Sequence, residues 1–200
     1  MDPGRGGRTE ERALWRAAHG YRDLCELGAR FAQGEIGRFP GWGRRGLDAE
    51  SRPIAPALAA LNRAGFLTLA SQPGALEVEG RLPRRQRAFV FGFADPSAAR
   101  ALEPLARDAS LAISIAERGA PAPEPVAVVD LGGEPCAFAG GAPFEIELEL
   151  FARECGRGAV ADLARMRFAS AVDLVWGRER HLWQTLSAAF GVTDPFARTP

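Results

Sequence analysis

The chain has 200 residues, 46% hydrophobic and 25% charged, which suits one soluble domain with a sizeable core. Its formal net charge is zero, so no global field draws in nucleic acid or an anionic membrane surface, and neither is expected as a partner. All 25 basic residues are arginine, which excludes Schiff-base chemistry, a P-loop lysine and a kinase-type lysine.

The octapeptide 1–8 is Gly/Arg-rich and lacks the apolar centre of a signal peptide. It is expected to be a disordered tail, with residues 9–200 forming a single globular domain. Thr9, followed by Glu10 and Glu11, looks like a helix N-cap, and Leu14, Ala17, Tyr21, Leu24, Cys25 and Phe31 then recur at helical spacing. Residues 34–46, with Pro40, Trp42 and several glycines, read as a loop. Pro53 begins the next helix, whose face is Ile54, Leu58 and Leu61, and Gly65 closes it as an αL cap. A strand follows over 66–70, and Gln72-Pro73-Gly74-Ala75 has the composition of a type II turn.

Residues 86–94 read as a strand with Phe89, Phe91 and Phe93 on one side and Val90 on the other. Asp95-Pro96 supplies an N-cap and an N1 proline for a helix over 97–108, and 111–116 is the next strand. That order is a βαβ unit, whose two strands run parallel if they share a sheet. Strands are also predicted over 126–131, 144–150 and 170–176, with helices over 159–166 and 178–190. The 144–150 strand alternates Phe144, Ile146, Leu148 and Leu150 with Glu145, Glu147 and Glu149. The expected fold is a mixed α+β domain: one mixed sheet containing a central βαβ unit, with helical segments at both ends. Leu58, Leu61, Phe66, Leu69, Phe89, Phe91, Phe93, Leu105, Ile113, Val128, Ile146, Leu148, Leu163, Val172 and Leu186 are its expected core.

Familiar catalytic patterns are missing. Cys25, Cys136 and Cys155 are odd in number and form no CxxC pairing, so neither a disulfide framework nor a zinc site is supported, and a cytoplasmic setting fits best. His19 and His181 lack HxxxH partners, the Gly132-Gly133 and Gly140-Gly141 pairs make no GxGxxG, and the three alternating glutamates are the ordinary pattern of a solvated face. No metal and no cofactor are expected. What remains is a concentration of rare neutral side chains: Asn62 is the sole asparagine, and Gln72 and Gln86 are two of four glutamines. They sit beside Thr68, Ser71 and Arg87. Such groups read the hydrogen-bonding pattern of a small polar ligand, with Arg87 available to a carboxylate or phosphate. The competing view is structural: Asn62 ties down a helix-to-strand corner, and Gln72-Pro73-Gly74 is only a turn.

Several runs carry a resemblance. Leu61-Asn62-Arg63-Ala64-Gly65-Phe66-Leu67-Thr68, Ser71-Gln72-Pro73-Gly74, Gln86-Arg87-Ala88 before a strand ending Gly92-Phe93-Ala94, and Trp176-Gly177-Arg178 followed by Leu182-Trp183 together resemble uncharacterised proteins of Streptomyces and related actinobacteria, catalogued as a domain of unknown function. The likeness extends from about Leu14 to about Leu186 and includes Asp23-Leu24, Gly34-Glu35-Ile36 and Pro40-Gly41. Members often carry Asp-Pro before the Trp-Gly-Arg, where this chain has Asp173-Leu174-Val175. The resemblance implies a host group, a single domain and a cytoplasmic habit, and it brings no activity. Three functions therefore stay open. One is a small-ligand-binding domain using the amide cluster. A second is an enzyme whose acid or base is Asp95, Glu50 or Asp173. The third is a protein-interaction module presenting the Trp42 loop.

Overall fold

A computed structural model describes residues 3–43, 45–79, 82–121, 123–140 and 144–196. Met1 and Asp2 of the expected tail, and Gly141, lie outside them. The described chain runs α1 (Pro3–Arg16), α2 (Tyr21–Ala32), a 3-10 turn (Ala49–Ile54), α3 (Ala55–Arg63), β1 (Phe66–Gln72), β2 (Ala75–Glu79), β3 (Leu82–Gln86), β4 (Phe89–Ala94), α4 (Pro96–Leu102), a second 3-10 turn (Glu103–Arg107), β5 (Leu111–Ala116), β6 (Val126–Leu131), β7 (Glu134–Ala139), α5 (Phe144–Glu154), α6 (Arg157–Leu163), β8 (Arg167–Asp173) and α7 (His181–Phe190). The first helix thus begins at Pro3, upstream of the cap expected at Thr9.

The fold is α+β with two four-stranded sheets, ordered β1-β4-β8-β5 and β2-β3-β6-β7, in which every bonded pair is antiparallel. The expected βαβ unit is β4-α4-β5. Its two strands run parallel to each other, but β8 is inserted between them and bonds both, so the single mixed sheet is replaced by an antiparallel one. Asp95 caps α4 as its sequence demands, accepting from the Ser97 and Ala98 amides at 2.9 and 2.8 Å.

Alternation along β4 sets the layers. Val90 faces α3, α4 and α7 together with Phe66, Leu58, Leu61, Leu102, Trp183 and Leu186. Phe93 faces the opposite way, among Trp15, Leu24, Phe151 and Leu163 from the other helices and Phe168 of β8. Farther along that second face, Phe89 and Val172 meet Val128 and Val129 of the other sheet. A sheet covered on both faces buries Val90 as completely as Phe93, while Phe91 is half-buried, at about 1.5–3 kcal/mol for each large apolar side chain fully buried.

Two expectations are corrected. Residues 144–154 form the helix α5 instead of a strand. Glu and Leu are strong helix formers, and Leu148 and Phe151, one turn apart, are buried while Ile146 is 60% exposed and leaves the expected core. Gln72-Pro73-Gly74-Ala75 does not reverse the chain. Gln72 pairs with Phe89 and Ala75 with Gln86, so β1-β2 and β3-β4 are two arms of one long hairpin that bends at Pro73-Gly74 from the first sheet into the second.

Candidate functional site

The bend in that hairpin is where the motif-bearing segments come together. The buried side chain of Gln86, 1% exposed, donates from Nε2 to the Pro73 carbonyl at 2.8 Å and lies 3.4 Å from Glu50 Oε2. The Gln86 carbonyl accepts from the Gly177 amide at 3.0 Å. Gly74 sits so close to the Arg178 carbonyl that an added Cβ would be 2.5 Å from it, and Gly177, at φ +73°, presses on the Leu76 side chain. A side chain at either position has no room, and Gly177 adopts a backbone region that L residues avoid. Thus the Ser-Gln-Pro-Gly bend, the Gln-Arg-Ala segment and the Trp-Gly-Arg loop form one corner.

On the outside of this corner lie two arginines and a tryptophan. Arg85 and Arg87 are two residues apart and point to the same side, with their guanidinium carbons 5.2 and 4.0 Å from the centre of the Trp176 ring. Arg85 is neutralised by the buried carboxylate of Asp130 at 2.9 Å, and holds that carboxyl below its ordinary range. Arg87 is different. It donates from Nη1 to the Ala127 carbonyl at 2.8 Å, while its buried Nε has no partner and no carboxylate pairs with it among the described residues. Burial, with the nearby charge of Arg85, lowers the pKa of Arg87, and Asp173 opposes that only from a distance. Asp173 is committed elsewhere: fully buried, it accepts two bonds from Arg178 at 2.6 and 2.8 Å and one from the Val175 amide at 2.9 Å. Arg178, the first residue of the helix expected over 178–190, instead precedes α7 and is the clamp that fixes the loop before Trp176.

The six expected ligand-binding residues divide into two groups. Gln72, Gln86 and Arg87 flank the bend. Asn62 and Thr68 belong to the α3-β1 corner instead, and Ser71 lies farther along β1, next to Gln72. Asn62, 1% exposed, donates from Nδ2 to the Leu58 carbonyl at 2.7 Å and to Thr68 Oγ1 at 2.8 Å, while its Oδ1 accepts from the Thr68 amide at 3.1 Å. Its bonding capacity is taken up by the fold. The Ser71 carbonyl accepts from Ser51 Oγ at 3.1 Å. Thr68 and Ser71 do line a cavity beneath Trp42, with Phe31, Phe39 and Leu58, but its volume is about 40 Å³. That holds a water molecule or two, far short of the several hundred Å³ of small-molecule sites.

Two other groups have catalytic composition. Asp95 is occupied by its cap and by Arg22 at 2.8 Å. Ser110, His181 and Asp108 cluster at the start of β5 and of α7: Ser110 Oγ lies 2.8 Å from Asp108 Oδ1 and 3.4 Å from His181 Nε2, and Nε2 lies 3.0 Å from Asp108 Oδ2. A serine triad needs one ring nitrogen for the hydroxyl and the other for the carboxylate. Here a single nitrogen meets both, and Arg178 donates to the same hydroxyl at 2.7 Å. The cluster is a structural tie. Burial pushes the Cys25 and Cys155 thiols up to about 12, so neither supplies a thiolate. Among the described residues no His, Cys, Asp and Glu group is placed to hold a metal, and no helix is long and apolar enough to cross a membrane.

Arg85 was not singled out from sequence, and Trp176 entered only through the Trp-Gly-Arg run, with no site role assigned. The detectable signal was the Arg85-x-Arg87 alternation, which places two cations on one face of a strand. The profile of a family described as a domain of unknown function (DUF6919) matches residues 10–192. The chain belongs to that family. No curated protein matches it. The match spans every segment of the DUF6919 domain that builds the corner, from Glu50 to Arg178.

Proposed function

We propose that this DUF6919 domain is a binding module that takes an anionic group, a carboxylate or a phosphate, at Arg87 beside Trp176. The observation that supports this is a half-buried guanidinium stacked at 4.0 Å on an indole, next to a second arginine and without a carboxylate of its own among the described residues. Keeping that charge where burial and Arg85 oppose it is unfavourable, and an anion reverses the sign of the balance. The Gln86 and Asp173-Arg178 bonds hold the corner rigid before any ligand arrives. Recognition without chemistry fits the commitments of Asp95 and Asp173 to structural partners. The three free cysteines support a reducing, cytoplasmic setting, and the all-arginine composition supports an actinobacterial host.

Thermal melting with sodium citrate or phosphate, against sodium chloride at equal ionic strength, tests the proposal. The melting temperature of the unsubstituted protein is expected to rise with the polyanions and that of Arg87→Gln is not. An equal rise in both proteins, or none in either, would refute it.

A further inference from the structure

We infer that the anion reaching Arg87 is a side-chain carboxylate of a partner protein, delivered on an extended acidic segment that lies across the outer face of the β2-β3-β6-β7 sheet; this rests on the anion reading above. The inner face of that sheet is spent, with Val129 and Ala137 packed toward Phe89 and Val172. The outer face carries Leu76, Arg85, Asp130 and Pro135 as register partners in one row across all four strands. Arg87 reaches the carbonyl of Ala127, whose register partner is Phe138. Leu76 is 66% exposed and Phe138 is 56% exposed, so large apolar side chains lie open to either side of the arginine pair. Tryptophan and arginine ringed by exposed apolar residues are the composition of an interface centre.

Dimensions select the occupant. From β2 to β7 the row spans three strand spacings, roughly 14 Å, which a free carboxylate or phosphate cannot bridge and an extended peptide can. Charge sets its sign. Asp130 neutralises Arg85, leaving Arg87 as the charge that an incoming acid pairs with. A second copy of this chain would bring the same arginine to the same face. A nucleic acid needs a track of phosphate contacts, which the single unneutralised arginine of this face, among the described residues, does not supply.

Selection of a random-peptide display library on the full chain, counter-selected with Arg87→Gln, tests this. Enriched peptides are expected to carry Asp or Glu flanked by apolar residues. An enriched peptide, fluorescently labelled, should bind roughly tenfold or more weaker to Arg87→Gln and to Leu76→Ser/Phe138→Ser, whose exposed substitutions leave the melting temperature near that of the parent. No enrichment over Arg87→Gln, a consensus without an acid, unchanged affinity of the Leu76→Ser/Phe138→Ser protein, or equal competition by an oligothymidylate would each overturn the inference. Citrate stabilisation of the unsubstituted protein, lost in Arg87→Gln, reports separately on the anion reading. If it is present while the peptides fail, only the peptide inference falls; if it is absent, the anion reading falls with it.

Discussion

Replacing Asn62 by alanine separates the structural and the ligand-reading roles of the sole asparagine in the chain. Three hydrogen bonds disappear: those from Nδ2 to the Leu58 carbonyl and to Thr68 Oγ1, and that from the Thr68 amide to Oδ1. Leu58 keeps its place in the α3 ladder, so its carbonyl retains a partner. The Thr68 amide does not, because β1 is irregular between Thr68 and Ala70. A net loss near 1 kcal/mol for the bonds, plus about 1–3 kcal/mol for the stranded amide, gives a destabilisation of about 3 kcal/mol. For a domain of this size that lowers Tm by about 6–12 °C. Urea or thermal unfolding followed by circular dichroism measures it, and the citrate response at Arg87 should survive unchanged. The neighbouring glycine supplies a coupling check. A Cβ on Gly28 would lie 2.6 Å from Asn62 Oδ1 and 2.9 Å from Leu67 Cδ1. Gly28→Ala should therefore destabilise the parent despite alanine's better helix propensity, and do so less when Asn62→Ala is already present. A loss of stability below about 0.5 kcal/mol for Asn62→Ala, or strictly additive effects for the pair, would refute the reasoning.

Gly177→Ala places a Cβ at φ +73° against Leu76 and is expected to lower stability by about 1–2 kcal/mol in urea unfolding, with weaker citrate binding because Trp176 precedes it. Under native conditions a thiol-specific reagent should modify exposed Cys136 rapidly, half-buried Cys155, its thiol pushed up to about 12, more slowly, and buried Cys25 only at the rate of unfolding, as peptide mass mapping would show. Asp108 is held down to about 2, first by the Ser110 amide and hydroxyl and then by His181. Because its folded value lies below the unfolded one, its contribution is complete above about pH 4 and fades as pH falls toward 2. Asp108→Asn should accordingly flatten the stability-pH curve over that interval in acid titrations.

Short-range chemistry made much of this fold legible. Asp95-Pro96 announces α4 because capping is a bond between near neighbours, and the β-branched runs 111–116 and 126–131 coincide with β5 and β6. Gly65, at φ +93°, ends α3 as its position predicts. Where periodicity is ambiguous the outcome is set by packing: 144–150 alternates like a strand over seven residues, and only Phe151 next to Leu148 gives away the helical stripe. β2, β3 and β7 were not read as strands because they are rich in Glu, Arg and Pro and exist by pairing with their neighbours, β2 with β3, β3 with β6 and β6 with β7. The site follows the same division. Gln86 and Arg87 beside the Pro73-Gly74 bend were visible as a local cluster of unusual side chains. The placement of Trp176 over Arg87 joins segments about ninety residues apart, as does the Gln86-Gly177 bond, and no local pattern records either contact.

The central claim, that Arg87 on Trp176 receives an anion, is tested most directly by two-dimensional NMR of nitrogen-labelled protein during titration with citrate. The Trp176 indole N–H and the Arg87 Nε–H resonances are predicted to move together and saturate, while the indole signals of Trp15 and Trp183, buried elsewhere in the core, stay fixed. Stationary Trp176 and Arg87 signals throughout the titration, or an unchanged Trp176 response in Arg87→Gln, would contradict it.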